Sequence, residues 1–335
     1  MTPPFDQPSG LAVAFDHVVT RGIVIGVATL LVLTPIIIAI LKVARRIDEP
    51  LQGELYRRYV SWLVLAPLML GPIVLGRLWT IGAVVLLSLL CYREFARTTG
   101  LFRHRLLSGV VVLGLLAIGF AVADHWYAFF VALPSLTICL LVVAGLVADQ
   151  PSGYIQRVAL SVFSLLLFGV CLGHLAYFAN DRLFRPLMLL ILLSVELNDV
   201  FAFVVGKSIG RRRFAPNTSP NKTLAGALGA AILTTVLFAT LAHFVFAGTV
   251  MDGPVHLVTM GLLLSVCGQF GDLVLSSIKR DLGIKDMAAT IPGHGGLLDR
   301  FDSLLLVAPV LFHYIGYVRG IGLDQPERIF SGNGM

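Results

Sequence analysis

Apolar residues run almost unbroken over Gly22–Leu41, Leu106–Ala123 and Ala225–Ala247, and further apolar runs fill most of the intervals between short polar segments. A helix needs about 20 such residues to cross a hydrocarbon core about 30 Å thick. The pattern therefore predicts about ten spans, over 22–42, 60–76, 78–92, 106–123, 126–147, 158–179, 185–205, 224–247, 255–276 and 303–319. Pro67 and Pro72 disturb the second of these, so the pair around Arg77 also reads as a re-entrant hairpin or as one broken helix. The expected fold class is all-α, a polytopic transmembrane helical bundle. Its parts are a polar N-terminal tail (1–20), N-terminal transmembrane helices (21–150), a second transmembrane half that holds most of the chemistry (151–320) and a C-terminal tail (321–335).

Composition agrees with a membrane protein. Hydrophobic residues are 57% of the chain, charged residues 13%, and the mean hydropathy is +0.89. Soluble domains carry about 25% charged residues, so a soluble fold is excluded. Cys91, Cys139, Cys171 and Cys267 are scattered singly in apolar runs, which points to small buried hydrophobes rather than a metal knuckle or a disulfide framework. The first polar stretch, Met1–Val19, lacks the basic region and short apolar core of a cleaved leader.

The net charge of +6 matters less than where it lies. One set of loops holds Lys42, Arg45, Arg46, Arg57 and Arg58, then Arg93, Arg97, Arg103 and Arg105, then Arg157. The same set continues with Lys207, Arg211, Arg212, Arg213 and Lys222, then Lys279, Arg280, Lys285 and Arg300. The opposite side keeps Arg21, Arg77, Arg182, Arg185, Arg319 and Arg328. By the positive-inside rule the rich side is cytoplasmic and both termini lie outside. That bias fits a bacterial cell inner (cytoplasmic) membrane. For 42–58 and 93–105 topology is explanation enough. The stretch Lys207–Lys222 carries five basic residues and no acid, and Lys279–Asp302 interleaves four bases with four acids. A topology signal gains little from acids, so the second stretch reads as a cytoplasmic-facing active site.

Carboxylates inside apolar runs are costly and are functional hypotheses by default. Glu196 and Asp199 stand three residues apart and share a helical face. For Glu196 a plain interhelical contact explains the residue equally well. Asp272 follows Gly268-Gln269-Phe270-Gly271, and what comes after it favours a site. Gly293, Gly295 and Gly296 allow backbone amides close to an anion, and a helix starting just beyond them offers its positive end to phosphate. Asp299 and Asp302 project from one face of that helix. With Asp272 they supply hard oxygens for Mg²⁺, which takes one or two carboxylates plus substrate oxygens. Lys279, Arg280, Lys285 and Arg300 offset phosphate charge.

At this point the motifs resemble a family. Gly271-Asp272-Leu273, Ser277-x-Lys279-Arg280, Lys285-Asp286 and Pro292-Gly-His294-Gly-Gly-x-x-Asp299-Arg300-x-Asp302-Ser303 look like the hallmark of the phosphatidate cytidylyltransferases, the CDP-diacylglycerol synthases. Asp199-x-x-Ala202-Phe203-x-x-Gly206-Lys207-x-x-Gly210 and Ser219-Pro220-Asn221-Lys222-Thr223 are similar to two further segments of that family. The resemblance covers roughly 155–320. Phe203 stands where the family usually has Tyr, and the Glu196-x-Asn198-Asp199 lead-in is atypical.

The resemblance implies a nucleotidyltransferase of phospholipid biosynthesis. It would condense CTP with phosphatidic acid to give CDP-diacylglycerol and pyrophosphate. It further implies that Asp272 and Asp299 hold a divalent metal, taken as Mg²⁺, with Asp302 close by and Asp199 in the same set. A second, monovalent ion and a homodimer stay open, and nothing points to nucleic acid. Asp272, Asp299, Lys279 and Arg300 are the expected catalytic residues. Ser219, Lys222, Arg280, Lys285, Gly293, His294, Gly295 and Gly296 are the expected substrate-binding ones.

Attack by a phosphatidate oxygen on the α-phosphorus of CTP needs no strong base, because the nucleophile is already an anion. Catalysis is then positioning and charge neutralisation, and His294 takes a binding or structural role. Five further histidines (His125, His174, His243, His256, His313) read as interfacial or interhelical. Three rivals remain at this level. A transporter would use Asp199 and Asp272 as ion sites but leaves the glycine-rich loop unexplained. A related enzyme would use another lipid phosphate as acceptor or would use CTP as a phosphoryl donor. The CDP-alcohol phosphotransferases need an Asp-Gly-x-x-Ala-Arg core that this chain lacks.

Overall fold

The computed structural model describes residues 11–147, 149–291, 295–319 and 328–332. Ten of its helices are long and apolar enough to cross a membrane: α1 Val18–Val43, α2 Glu49–Leu75, α3 Arg77–Thr98, α4 Arg105–Ala123, α5 Tyr127–Val147, α6 Tyr154–Asn180, α7 Phe184–Ile209, α8 Leu224–Phe246, α9 Pro254–Asp281 and α10 Leu298–Val318. Among the described residues pairing of β type is limited to two isolated bridges. The protein is a multi-pass helical membrane protein, as the hydrophobic pattern requires.

The pattern misjudges helix ends. Asp48 caps α2 by accepting from Leu51 N at 3.0 Å, so the helix begins eleven residues before the apolar stretch at 60. Its first turns are polar and stand outside the bilayer, where propensity and capping decide rather than hydrophobicity. The segment around Arg77 is neither a re-entrant hairpin nor one broken helix. Gly76, at φ +131°, turns the chain directly from α2 into α3, a backbone state that suits glycine. The Thr80 hydroxyl donates to the Pro72 carbonyl at 3.1 Å, in the turn where proline breaks the backbone ladder.

Burial sorts the helices. Only 11% of the apolar window of α1 is buried inside the protein, against 61% for α6. Thus α1 is a peripheral, lipid-facing helix and α6 a central one. A π-helical stretch, Leu165–Cys171, widens α6. Beside it Gly169 and Gly173 let the helix approach Leu115 and Ile118 of α4. Consecutive helices from α7 to α10 pack side by side. Two glycines set how closely. A Cβ on Gly226 would lie 2.5 Å from the Ala202 carbonyl, and one on Gly271 would lie 2.6 Å from the Asp302 carbonyl. The second contact brings α9 and α10 together at the height of Asp272 and Asp302.

At the end of the bundle expected to face outward, Arg77 donates from Nε to Asn180 Oδ1 at 2.7 Å, and Arg319 pairs with Asp181 at 3.1 Å. The C-terminal segment returns to the α4–α5 turn. Asp124 accepts there from Phe330 N at 2.6 Å and Ser331 N at 3.1 Å. The Arg328 guanidinium lies 4.7 Å over the Trp126 ring. All four cysteines are free, but of the four only Cys91 is buried as expected; Cys171 and Cys267 are half-buried and Cys139 is exposed. Four of the five histidines make local hydrogen bonds: His125 with Tyr177, His174 with the Val170 carbonyl, His243 with Asp252 and His256 with Tyr314. His313 stacks near His174 at 4.7 Å.

Two predictions follow from this packing. Gly271→Ala places a methyl group where the α10 backbone lies, and overpacking of this kind costs about 1–3 kcal/mol; thermal unfolding in detergent should show a lowered midpoint. Burial alone would raise the Asp124 pKa, but hydrogen bonds from Ser331 and Phe330, with Arg328 nearby, outweigh it and hold the pKa below 3.8. The carboxylate therefore holds the C-terminal segment at full strength above the ordinary value. That hold is lost as pH falls through the depressed one. Proteolysis near 328–332 should accelerate on acidification, and Asp124→Asn should be cleaved at a rate much less dependent on pH.

Candidate active site

Helices α7, α9 and α10 carry the carboxylates singled out from the sequence, toward the lysine- and arginine-rich side. Asp199, Asp272 and Asp302, one from each helix, lie close enough for their charges to act on one another. Asp272 is not at a helix end. Because α9 continues to Asp281, it sits nine residues inside, about 13 Å along the axis. The Lys222 ammonium reaches down from the N-terminal approach to α8 and stands 2.7 Å from Asp272 Oδ2. It also donates to the Gln269 carbonyl at 3.3 Å. Asp302 is buried and accepts from Ser303 N at 2.7 Å.

Behind the three acids runs a neutral polar seam. Buried Asn198 accepts from the Thr234 hydroxyl at 3.0 Å and from the Ser265 hydroxyl at 2.5 Å. Gln269 donates to the Ala227 carbonyl at 3.2 Å. These bonds fix the rotation of α7 against α8 and α9, and so fix the direction of Asp199. Unsatisfied amides in this position would be costly.

Asp299 takes a different course from Asp302, although the two share a helix face. Its Oδ1 pairs with Lys279 at 2.8 Å. Its Oδ2 accepts from Met287 N and Gly296 N, each at 2.9 Å. Both oxygens are thus engaged in holding the loop between α9 and α10. Asp272 and Asp299 are each clasped by a different lysine. The start of α10 also departs from expectation. The amides of Leu297 and Leu298 donate to Glu94 on α3, at 3.0 and 2.9 Å, so the helix's positive end is met by the protein's own carboxylates. Gly295 adopts φ +80° in the turn; Gly293 and His294 lie outside the described residues.

A third ion pair completes the set. Arg300 Nη2 is 2.7 Å from Glu196 Oε2, and its guanidinium lies 5.3 Å over the Trp62 ring of α2. Glu196 and Asp199 lie one turn apart on α7 and near each other, Glu196 paired with Arg300 and Asp199 close to Asp272 and Lys222. Arg280 is turned to structure, donating to the carbonyls of Thr218 and Ile284 at 3.3 and 3.2 Å. Lys285 is exposed and Ser219 half-buried. Phe203 points outward beneath Lys207, whose ammonium is 5.7 Å from its ring.

Glu196 also lines a cavity of about 570 Å³ between α1, α2 and α7, whose walls are otherwise mainly leucine, isoleucine and valine. Trp62, Arg58 and Tyr59 lie in the same wall, so a polar rim with the Arg300–Glu196 pair bounds an apolar slot.

Sequence reasoning missed Glu94, Trp62 and Asn198. Glu94 carried a readable signal, since it is an acid at the end of a span among Arg93 and Arg97, where a topology signal has no use for one. Trp62 could not be distinguished from any other aromatic in an apolar run.

The fold and this site define a class: an integral-membrane enzyme that handles phosphate-bearing substrates with paired carboxylates and cations. The comparison with known proteins is more specific. The sequence model of the cytidylyltransferase family matches residues 56–318, and the chain belongs to that family, a group of nucleotidyltransferases. It is 32% identical to the "Uncharacterized protein YnbB" of Escherichia coli (strain K12), over 81% of this chain and 91% of that protein. It is 30% identical to the phosphatidate cytidylyltransferase of Bacillus subtilis (strain 168), over 77% of this chain and 97% of that one. With the corresponding enzyme of Rickettsia bellii the identity is 32%, over 63% and 90%. The family match begins a hundred residues before the segment in which motifs are legible, so α2 and α3 belong to the same evolutionary unit as the site.

Lys279 and Asp299 are both mostly buried, so removing one partner strands the other. Lys279→Met alone should destabilise by about 3–5 kcal/mol. Lys279→Met combined with Asp299→Leu should recover much of that loss. A double-mutant cycle by thermal unfolding measures the coupling.

Proposed function

We propose that the chain transfers the cytidylyl group of CTP to phosphatidic acid at the cytoplasmic face of a bacterial inner membrane, forming CDP-diacylglycerol and pyrophosphate. One observation carries the lipid part of this reading: Glu196 lines the apolar slot of about 570 Å³ and is paired with Arg300. Acyl chains suit its walls, and Arg300 at its rim is the cation best placed to meet a lipid phosphate, which arginine can bind through two N–H groups at once. The names of the Bacillus and Rickettsia relatives support the same acceptor.

In the reaction a phosphatidate oxygen forms a bond to the α-phosphorus of CTP while the bond from that phosphorus to the β-phosphate oxygen breaks. Pyrophosphate takes the electron pair. No proton need leave the nucleophile. Lys222, Lys279 and Arg300 each stand beside a carboxylate that holds the cation in place before substrate arrives. Substrate phosphates would share or take over those partners, so little reorganisation is needed as charge shifts toward the leaving group.

Mg²⁺ is the proposed cofactor. Among the described residues no three His, Cys, Asp or Glu side chains converge to form a complete cage. Mg²⁺ needs no such cage, since one or two carboxylates plus substrate oxygens suffice. The donor chemistry fits, with Asp199, Asp272 and Asp302 offering hard oxygens beside Lys222, Lys279 and Arg300. One or two of those three would hold the ion together with substrate oxygens, while Asp299 is engaged by Lys279 and the loop amides. When bound, the ion would neutralise charge on the phosphates.

The purified protein, given CTP, phosphatidate micelles and Mg²⁺, should release pyrophosphate; release of CDP would mark a lipid kinase instead. Asp272→Asn should cut turnover by at least about a hundred-fold, and a chelator should abolish turnover until Mg²⁺ is restored. Leu193→Trp, which fills the slot, should raise KM for phosphatidate while leaving KM for CTP unchanged. Equal effects on both substrates would place the lipid elsewhere.

A further inference from the structure

Glu94 lies on α3, far in sequence from every motif described above, yet its carboxylate serves the loop that precedes α10. Oε1 accepts from Leu297 N at 3.0 Å and from the Thr290 hydroxyl at 2.6 Å. Oε2 accepts from Leu298 N at 2.9 Å. One turn further along α3, the Thr98 hydroxyl donates to the Met287 carbonyl at 3.1 Å. Met287 N in turn donates to Asp299. Two side chains of one helix thus grip both ends of the segment 287–298.

The grip is tight. Glu94 is only 8% exposed, and a buried carboxylate persists only where donors converge on it. A Cβ on Gly296 would fall 2.7 Å from Glu94 Oε2 and 3.0 Å from Ala288 N. Glycine at that position therefore lets the loop lie flat against the carboxylate. The two amides Glu94 accepts from open α10, whose first five residues include Asp299, Arg300 and Asp302. Where α10 starts, and in which direction those three side chains leave it, is set by this one residue on α3.

We propose that Glu94 is a positioning residue for the transfer reaction, holding Thr290 and the start of α10 at Leu297 and Leu298 so that Asp299, Arg300 and Asp302 are held in working register. It does not touch substrate; it acts through the start of α10. This rests on the cytidylyl-transfer reading, so the test has one arm that does not depend on turnover.

Glu94→Gln keeps one acceptor oxygen and turns an N–H toward one of the amides, whereas Glu94→Ala removes both acceptors. Hydrogen–deuterium exchange in detergent should speed up about ten-fold or more across 287–298 in the alanine variant and less in the glutamine variant, with the other helices unchanged. Turnover should fall about ten-fold for Gln and about a hundred-fold for Ala, as expected for a misplacement near 1 Å, with KM for CTP moving less than about two-fold. Unchanged exchange in that segment, or unchanged turnover in both variants, would overturn the proposal. So would losses in both variants that run parallel to faster exchange through the whole bundle, since that marks a merely structural role. If the unsubstituted protein turns over no CTP, the reaction reading fails, and the exchange arm alone then supports or overturns the clamp.

Discussion

An ionised side chain cannot sit unpaired below the membrane surface without a cost of several kcal/mol, and the lysine- and arginine-rich end of this bundle is built around that constraint. Three ion pairs meet it: Lys222 with Asp272, Lys279 with Asp299, and Arg300 with Glu196. Each joins two different stretches of the chain, so together they tie the approach to α8, the end of α9, the start of α10 and the middle of α7 into one unit. The glycine contacts serve the same end. Gly271 lets α10 lie against α9 closely enough for Asp302 to share a neighbourhood with Asp272.

This arrangement also divides the labour among the acids. Asp199, Asp272 and Asp302, one from each of three helices, lie close enough for their charges to interact. Glu94 and Asp299 are consumed by backbone amides of the loop and shape it. Glu196 balances Arg300 at the rim of an apolar slot built mostly from α1, α2 and α7. The N-terminal helices are therefore not mere anchors. They supply one wall of the slot, the Trp62 ring over Arg300 and the Glu94 clamp, which accords with a family match that begins at residue 56.

The legibility of each feature in the sequence depended on its physical cause. Helix number follows from a local property, hydrophobicity over some twenty residues, so ten spans could be counted from the chain alone. The polar motifs after Asp272 were legible for a related reason: charge in an apolar context is rare enough to stand out. Helix ends were less visible, because a helix that projects beyond the bilayer no longer needs apolar residues. Thus α2 begins at Glu49 and α9 runs on to Asp281.

The sequence by itself determined the fold class, the family and the chemical inventory of acids, bases and glycines. Only the tertiary structure decided which acid meets which base. Asp299 and Asp302 are three residues apart on one helix face, yet one turns to Lys279 and the loop amides while the other turns to Asp199 and Asp272. Glu94 meets its partners across some two hundred residues. Pairing of this kind is settled by helix rotation and close approach between segments distant in the chain, and no pattern confined to one segment encodes it.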